Sequence, residues 1–275
     1  MKQISTTAEM HAVRRSLSGT VGLAPTMGYL HAGHVALVKA ARAENEHVIA
    51  TIFVNPTQFG PNEDLTAYPR DFPRDFALLA EAGCDIVFTP SPDAIYPPGF
   101  QTYVTVEEVA QPLEGARRPG HFRGVATVVM KLFSIVQPQA ALFGKKDYQQ
   151  FMVLSAMVRE FGMPIEVIPG ETVRAPDGLA LSSRNGYLTE AERAEAPRLY
   201  RELNRIREFL KQGEQDIFRL ENAAVAVLTA AGWHTDYVAV RRQADLSAPQ
   251  AIGVPLVVLA ASRLGSTRLI DNIEI

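Results

Sequence analysis

Two histidines stand three residues apart in the segment Pro25-Thr26-Met27-Gly28-Tyr29-Leu30-His31-Ala32-Gly33-His34. At the start of a helix this spacing places both imidazoles on one face, beside free backbone N–H groups and the positive end of the helix dipole, which attract anions. Gly28 and Gly33 let the backbone approach a ligand closely. The imidazoles can donate hydrogen bonds to phosphate oxygens and stabilise charge as pyrophosphate leaves.

The four-residue histidine pattern by itself is more often incidental than functional. The apolar strand before it and the Pro-Thr-Met-Gly lead-in reverse that preference, and we interpret the segment as the triphosphate site of an ATP-using enzyme. Zinc is the weaker alternative, because the lone Cys84 and the scattered remaining histidines show no convincing ligand spacing. Cys84 lies in an apolar run and is interpreted as a small buried residue.

Two amides follow the next apolar run, in Phe53-Val54-Asn55-Pro56-Thr57-Gln58-Phe59. Asn55 and Gln58 can recognise a hydroxyl or a carboxylate, and Phe59 offers an apolar wall. Taken alone the segment is an ordinary loop, since Asn-Pro is a common turn dipeptide. Its position at a strand end, where open α/β sheets bind ligands, makes it a candidate substrate site.

A lysine pair enters a predicted helix in Phe143-Gly144-Lys145-Lys146-Asp147-Tyr148-Gln149-Gln150. A lysine here can hold phosphates, and Asp147 can cap the helix or reach Mg²⁺ or a ribose hydroxyl. Gln150 lies one turn further along the same face. A solvated lysine pair with a plain helix cap fits this segment equally well.

Two hydroxyls and a guanidinium follow one another in Leu181-Ser182-Ser183-Arg184-Asn185 and suit phosphate oxygens. A polar turn is the alternative. His121-Phe122-Arg123-Gly124, which opens another predicted helix, is a further positive candidate with a similar alternative.

Alternating apolar runs and helical patterns must position these motifs. We predict strands at residues 21–25, 48–54, 85–89, 140–143 and 165–168, with helices at 35–43, 71–82, 125–136 and 147–161. Continuous apolar strands are typical of parallel sheets buried on both faces. The alternation implies right-handed crossovers and therefore an α/β fold with a doubly wound, Rossmann-like parallel sheet.

Residues 103–106 break the alternation and resemble an added strand. Such a segment forms either an edge hairpin or a pair with another subunit.

The pattern changes after about residue 171. Amphipathic helices are predicted at 190–211 and 216–231, the second ended by Gly232, followed by strands at 235–240, 254–261 and 267–270. This indicates a smaller α+β domain, so we divide the chain into residues 1–172 and 173–275. The boundary carries no flexible linker, because Asp177-Gly178-Leu179 is a turn inside a possible hairpin.

Composition excludes several classes of protein. The chain has 275 residues, 47% of them hydrophobic, and a formal net charge of −3, which gives no general attraction to nucleic acid or anionic membranes. One cysteine cannot form an internal disulfide, and the apolar runs are shorter than the roughly 20 residues of a membrane span. Because the N-terminus also lacks an apolar signal core, we expect a cytoplasmic protein without nucleic-acid or membrane partners.

Taken together, the motifs resemble the pantothenate synthetase (pantoate–β-alanine ligase) family, within the nucleotidyl-transferase superfamily that carries the His-x-Gly-His motif. The histidine motif alone would indicate only the superfamily. The resemblance runs in order from about residue 20 to the end and also covers Leu113-Glu114-Gly115, Arg118-Pro119-Gly120-His121-Phe122-Arg123-Gly124-Val125, Lys131-Leu132-Phe133, Gln137-Pro138, Asp177-Gly178-Leu179-Ala180, Gly186-Tyr187-Leu188 and Arg268-Leu269-Ile270-Asp271-Asn272.

The resemblance implies a two-step reaction. Pantoate attacks the α-phosphorus of ATP to give pantoyl adenylate and pyrophosphate, and the amine of β-alanine then attacks the acyl carbon and releases AMP and pantothenate. It also implies dependence on Mg²⁺, with ligands that the sequence does not identify, and a homodimer formed through the N-terminal domain, which suits residues 103–106.

The resemblance also assigns roles to residues. His34 is the catalytic histidine, and His31, Lys146, Ser182 and Arg184 complete the catalytic set. Pantoate contacts Gln58 and Gln150, with Asn55 as a further substrate-binding amide, and Gln58 lies near the β-alanine position. The implied ATP contacts, with Val173 against the adenine, are Met27, Gly28, Tyr29, Leu30, His31, Ala32, Gly33, His34, Gly144, Lys145, Lys146, Asp147, Val173, Leu181, Ser182, Ser183 and Arg184.

Lys145 departs from the family pattern, which usually reads Gly-Glu-Lys-Asp at residues 144–147. Asp147 and Gln150 fix the register, so the phosphate-binding role stays on Lys146. Two rival functions are an enzyme that stops at nucleotidyl transfer and a non-catalytic nucleotide sensor. The amides Asn55, Gln58 and Gln150 favour a small polar acid as substrate over a phosphorylated one.

Overall fold

A parallel β-sheet forms the centre of the N-terminal part of the protein, in a computed structural model that describes residues 1–61, 63–251 and 253–275. Its six strands are β1 (Lys2–Ile4), β2 (Val21–Thr26), β3 (His47–Ile52), β4 (Ile86–Phe88), β5 (Ala140–Gly144) and β6 (Glu166–Gly170). They lie in the order β1-β4-β3-β2-β5-β6, and every neighbouring pair is parallel.

Helices cover both faces of this sheet. The helices are α1 (Thr7–Ser16), α2 (Ala32–Glu44), α3 (Phe72–Glu81), α4 (Pro92–Ile95), α5 (Glu114–Arg117), α6 (His121–Val136) and α7 (Tyr148–Glu160). One apolar cluster joins the sheet to residues of α1, α6 and α7, and a second joins it to residues of α2 and α3. The prediction of a doubly wound α/β sheet is therefore confirmed.

The order of the strands reverses at β2. From β2 the chain runs to β3 on one side, and it later returns to place β5 on the other side. Open α/β sheets form their ligand crevice at such a switch point, outside the carboxyl ends of the strands. The histidine motif follows β2, the amide motif with Asn55 follows β3, and the lysine motif follows β5, so the loops that carry these motifs meet there.

The C-terminal part is a three-stranded antiparallel sheet packed against helices, which confirms the predicted α+β unit. Its elements are α8 (Glu190–Glu195), α9 (Arg198–Lys211), α10 (Ile217–Ala230), β7 (His234–Arg242), β8 (Leu256–Leu264) and β9 (Thr267–Glu274), with sheet order β7-β8-β9. Trp233 is fully buried in its core and donates a hydrogen bond from Nε1 to Glu195 Oε1 at 3.1 Å.

The single long helix predicted at 190–211 is wrong, because two helices occupy this range. Helix α8 ends at Glu195, and α9 starts after Pro197. Proline has no backbone N–H to continue the hydrogen-bond ladder and its ring clashes with the preceding turn, so the first helix ends before Pro197 and a second helix begins after it.

The predicted edge hairpin at residues 103–106 is also wrong, since the segment forms no strand within the described chain. The N–H of Val104 instead donates to Thr127 Oγ1 on α6 at 3.0 Å, and Val104 and Val106 pack on the core. Its alternative interpretation, pairing with another subunit, stays a prediction. Strand β1 and helix α1 were not predicted.

Polar and apolar contacts join the two parts of the chain. The buried Glu114 of α5 accepts two hydrogen bonds from Arg268 of β9, at 2.7 and 2.8 Å, and one from the Tyr237 hydroxyl at 2.8 Å. An apolar cluster that includes Tyr148 and Leu259 crosses the same boundary. Among the residues described, every helix falls short of the length and apolarity that a bilayer span requires.

Candidate active site

The loop after β2 is held in an unusual backbone conformation by a buried carboxylate. Gly28 and Tyr29 have φ values of +83° and +49°, both in the left-handed region. Asp75 on α3 accepts the N–H of Tyr29 through Oδ2 and that of Leu30 through Oδ1, each at 2.7 Å. Thr26 Oγ1 accepts the N–H of Gly28 at 3.2 Å. These bonds direct the chain into α2.

Sequence reasoning did not identify Asp75. Its side chain is only 1% exposed, and burial raises the pKa of its carboxyl group against the opposing effect of the Leu30 and Tyr29 N–H groups. A signal was available, because Asp75 lies on the same helical stripe as Phe72, Phe76 and Leu79. An acidic residue within an apolar stripe indicates a buried carboxylate with specific partners.

The two histidines cap helix α2 together. Nδ1 of His31 accepts the N–H of Gly33 at 3.1 Å, and Nδ1 of His34 accepts the N–H of His31 at 3.3 Å. The ring centroids lie 4.0 Å apart. Because each Nδ1 is an acceptor, each neutral ring carries its proton on Nε2 and offers a hydrogen-bond donor there. A Cβ at Gly33 would lie 2.8 Å from His31 Cε1, so this arrangement requires glycine.

Both imidazoles are uncharged near neutral pH. Burial, followed by His34 and the positive charges of Lys146 and Arg74, lowers the pKa of His31 to about 2. Burial likewise lowers the pKa of His34 to about 4, although the Asp147 carboxylate opposes the shift. The pair therefore supplies donors for an oxyanion, while the positive charge of the site comes from lysine and arginine.

The amide motif after β3 has a rigid member and an adaptable one. Asn55 is buried, donates from Nδ2 to Gln58 Oε1 at 3.0 Å and to the Gly124 carbonyl at 3.2 Å, and accepts from Tyr96 Oη at 2.7 Å. Among the described residues, Gln58 Nε2 donates to the Met27 sulfur alone, at 3.3 Å, and this sulfur is a weak acceptor. Asn55 therefore orients Gln58, whose amide can turn to a substrate.

A cavity of about 170 Å³ joins these groups at the sheet edge. One wall is apolar and is formed by Phe53, Phe59, Val125, Val128, Val129, Leu132 and Phe143. The polar side carries Asn55, Gln58 and Gln150, together with Met27, His34, Asp147 and Arg184. The cavity therefore fits a small acid that has both an apolar body and hydroxyl or carboxylate groups.

The loop after β5 presents Lys146 and Asp147 to the same edge. The Lys146 side chain is largely buried, and its Nζ lies 3.8 Å from Asp147 Oδ1. Both residues line a cleft of about 810 Å³ between the two parts of the chain. Lys145 points elsewhere, with its Nζ between Glu171 at 2.7 Å and Glu274 at 2.9 Å.

The serine–arginine motif closes one side of that cleft. Ser183 Oγ donates to the Tyr29 carbonyl at 3.0 Å, which joins the motif to the loop after β2. Ser182 Oγ accepts the N–H of Arg184 at 3.3 Å. The hairpin bond from Leu181 N to the Val173 carbonyl, at 2.9 Å, brings Val173 to the start of α2, where a Cβ on Gly33 would lie 4.0 Å from it.

Acidic residues already neutralise two guanidinium groups of the site. Arg184 donates to Asp64 from Nε at 3.0 Å and from NH2 at 2.8 Å. Arg118 donates to both carboxylate oxygens of Glu63 at 2.7 Å. A phosphate or substrate oxygen that binds the same N–H groups of either arginine would have to displace this carboxylate.

Of His121 and Arg123, the two basic residues of the predicted positive segment, only His121 lines the small cavity. His121 is buried, its Nδ1 lies 2.8 Å from the Gln58 carbonyl, and its Nε2 lies 3.1 Å from Arg118 NH1. Burial and the charge of Arg118 lower the pKa of His121 to about 4. Arg123 instead stacks over the Tyr103 ring at 4.1 Å.

The structure thus brings the four sequence motifs to one crevice. The loop after β2, the amides after β3, the loop after β5 and the serine–arginine segment all line the small cavity or the cleft beside it, or bond to residues that do. Besides Asp75, the residues that sequence reasoning missed are the charged partners Glu63 and Asp64, whose contacts join distant parts of the chain.

Known proteins share this architecture along the whole chain. The family model for pantoate-beta-alanine ligase matches residues 2–274. The chain is 56% identical to the pantothenate synthetase of Chromobacterium violaceum over 276 residues, which cover 100% of this chain and 99% of that protein. It is 52% identical to the pantothenate synthetase of a Roseiflexus species over 99% of this chain and 98% of the relative.

Two solved structures are similar to it over nearly their full lengths. Pantothenate synthetase from Thermus thermophilus superposes with a TM-score of 0.94 at 49% identity, covering 99% of each chain. Pantoate-beta-alanine ligase from Francisella tularensis, solved in complex with beta-gamma ATP and beta-alanine, gives a TM-score of 0.81 at 36% identity over 99% of this chain and 97% of that one. With a family match at residues 2–274 and relatives that share half of its residues from end to end, the chain belongs to the pantoate-beta-alanine ligase family and is a ligase.

Proposed function

We propose that the protein joins pantoate to β-alanine at the expense of ATP, through a pantoyl-adenylate intermediate. In the first step a pantoate carboxylate oxygen attacks the α-phosphorus, and the bond from that phosphorus to the pyrophosphate oxygen breaks. In the second step the β-alanine amine attacks the acyl carbon, loses a proton, and releases AMP. The observation that carries this proposal is the convergence of a phosphate-type helix start and an acid-sized cavity at one sheet edge.

The ATP side of the proposal rests on the loop after β2 and on the cleft. His31 and His34 offer Nε2–H donors at the N-terminus of α2, and Lys146 and Arg184 line the cleft beside them. Donors fixed in advance stabilise developing charge without reorganisation during the reaction. The Francisella relative was solved with an ATP analogue and beta-alanine, which supports the same ligand classes here.

The acid side rests on the cavity of about 170 Å³. Pantoate has an apolar dimethyl group, two hydroxyls and a carboxylate, and these match the apolar wall and the amides of Gln58 and Gln150. His34, Asp147 and Arg184 also line this cavity, so the acid and the triphosphate would meet there. Holding both reactants in line supplies much of the acceleration for a reaction of this kind.

The oxygen donors of the cleft fit a Mg²⁺ ion that binds together with the nucleotide phosphates. Within residues 1–61, 63–251 and 253–275, no group of three or more His, Cys, Asp or Glu side chains could hold a metal. Mg²⁺ usually binds to one or two carboxylates together with substrate phosphates and water. Asp147, with about half of its side chain exposed in the cleft, would hold it, and the ion would offset phosphate charge.

The two-part architecture suits protection of a water-sensitive adenylate. We propose that residues 1–172 form the ATP- and pantoate-binding domain and that residues 173–275 form a lid, which is consistent with their separate apolar cores. Closure of such a lid excludes water from a reactive intermediate. We further propose a cytoplasmic homodimer that pairs through residues 103–106, where Tyr103 is exposed.

One assay separates the proposal from nucleotidyl transfer alone and from nucleotide sensing. AMP and pyrophosphate are measured with ATP, pantoate and β-alanine, and again with each acid omitted in turn. We expect AMP release only when both acids are present. Sustained AMP release without β-alanine, or no turnover with all three substrates, would reject the ligation.

A further inference from the structure

Lys145 connects the nucleotide-facing loop after β5 to the last strand of the C-terminal sheet. Its Nζ lies 2.7 Å from Glu171 Oε1 and 2.9 Å from Glu274 Oε2. The Lys145 side chain is 18% exposed, whereas Glu171 is 81% exposed and Glu274 is 36% exposed. Because water screens the Glu171 carboxylate, Glu274 is the stronger partner.

Glu274 holds the loop from both ends. Its Oε2 accepts from Lys145, and its Oε1 accepts from the hydroxyl of the buried Tyr148 at 3.1 Å. Lys145 and Tyr148 flank Lys146 and Asp147 in the chain. The two residues that line the cleft are therefore fixed between two bonds to one carboxylate.

A second contact from β9 fixes the backbone of the same loop. The buried Asn272 donates from Nδ2 to the carbonyl of Lys145 at 2.8 Å and to the carbonyl of Lys146 at 2.9 Å. Asn272 is itself anchored, since its own carbonyl accepts from Arg174 NH2 at 3.0 Å. The position of β9 therefore determines the direction in which the Lys146 side chain points from the backbone.

The positive charge of Lys145 matches the two carboxylates around it. A glutamate at position 145 would place a third carboxylate beside Glu171 and Glu274. Like charges at such distances repel, and the loop would move away from β9. Lysine turns the same place into an attraction.

We propose that Lys145 is a positioning residue, which ties the Lys146 loop to β9 through Glu274 and so sets where Lys146 meets the nucleotide phosphates. This inference rests on the proposed function. The predicted ATP contact of Lys145 is then left to its backbone, and its side chain acts through Lys146.

A charge-swap experiment tests the tether. Lys145→Glu, Glu274→Lys and the double variant are compared with wild type in steady-state kinetics of pyrophosphate release. Lys211→Glu, at the exposed end of α9, is the control for the same change in net charge. We expect Lys145→Glu to lower kcat/KM for ATP about tenfold or more with little change in KM for pantoate, since small displacements of a binding group cost that much. The double variant should recover part of the loss, because it restores an opposite-charge pair between positions 145 and 274 while Glu171 stays beside position 145.

Two results would overturn the tether: Lys145→Glu within twofold of wild type, or a swap that recovers nothing. Should Lys145→Glu fail to fold, Lys145→Gln and Glu274→Gln replace it; each removes one charge of the same pair, and each must lower kcat/KM for ATP. Absence of turnover in wild type and in Lys211→Glu would reject the proposed function instead. The tether is then measured by a double-mutant cycle in urea unfolding, where zero coupling between positions 145 and 274 would reject it.

Discussion

His31 and His34 are hydrogen-bonded to each other across the first turn of α2, the backbone N–H of His31 donating to Nδ1 of His34 at 3.3 Å. Each ring therefore directs Nε2 away from the helix start. Since both pKa values are well below 6.5, the rings are neutral donors before phosphate arrives. A triphosphate at this place would receive two N–H bonds from rings whose orientation is already fixed by their Nδ1 contacts.

Replacement of His34 by alanine should remove one of these donors at the reacting phosphate. We expect kcat/KM for ATP to fall by about 100-fold or more, the effect of losing one donor to a developing oxyanion. His34→Gln keeps a donor of similar length and should retain more activity. Pyrophosphate release, with circular dichroism to verify the fold, measures both variants. Near-normal turnover of His34→Ala would remove the residue from the reaction.

The buried histidines should make stability fall in mild acid. His31, His34 and His121 have folded-state pKa values of about 2, 4 and 4, whereas an unfolded histidine titrates near 6.5. Between pH 6.5 and pH 4 the unfolded chain binds more protons, so the free energy of unfolding decreases as pH falls, by up to about 1.4 kcal/mol per pH unit for each histidine.

Urea unfolding at pH 7, 6 and 5 measures this dependence. His121→Gln should flatten it, while His234→Gln, at the exposed start of β7, should leave it unchanged. A free energy of unfolding that is constant from pH 7 to pH 5 would show that the three rings are already accessible to protons.

Asp75→Asn should disorganise the loop after β2. The carboxylate accepts two N–H groups at 2.7 Å, and asparagine can replace only one of these acceptors while its NH₂ faces the other donor. Loss of a hydrogen bond to a charged group costs about 1.5–3 kcal/mol, so kcat/KM for ATP should fall roughly 10- to 100-fold. Asp71→Asn is the matched control, because Asp71 caps the same helix and asparagine caps equally well. Equal kinetics of the two variants would contradict this role of Asp75.

Asp64→Asn should make the Arg184 guanidinium more available to bind the phosphates of ATP. The pair is partly exposed, with side chains 29% and 24% accessible, and such pairs contribute about 0.2–1 kcal/mol. Removing the carboxylate charge should therefore lower KM for ATP about two- to fivefold, whereas Arg184→Ala should raise it. A higher KM in Asp64→Asn would mean that Asp64 positions Arg184 for binding instead of competing with the phosphate.

Much of the site could be predicted from sequence because it lies at strand ends. Apolar runs of the right length fixed β2, β3 and β5, and residues that follow parallel strands must meet at one sheet edge. The predicted motifs at His31, Asn55 and Lys146 therefore came together without any knowledge of the strand order.

Contacts between distant segments could not be predicted in the same way. The bonds from Arg184 to Asp64 and from Asn272 to Lys146 span 120 and 126 residues, and no local pattern encodes a partner so far away. Residues 103–106 have the composition of a strand, but β-propensity does not supply a neighbouring strand with which to pair. The helix break at Pro197, in contrast, could have been predicted locally, because proline interrupts a helix and stands inside the predicted range 190–211.

The most direct test of the adenylate follows the oxygen atoms of pantoate. Pantoate labelled with ¹⁸O in its carboxylate is converted with ATP and β-alanine, and AMP, pyrophosphate and pantothenate are analysed by mass spectrometry and ³¹P NMR. If the carboxylate attacks the α-phosphorus, one ¹⁸O atom appears in the phosphate of AMP and the other stays in the amide carbonyl of pantothenate. AMP without label, or label in pyrophosphate, would contradict the pantoyl-adenylate route.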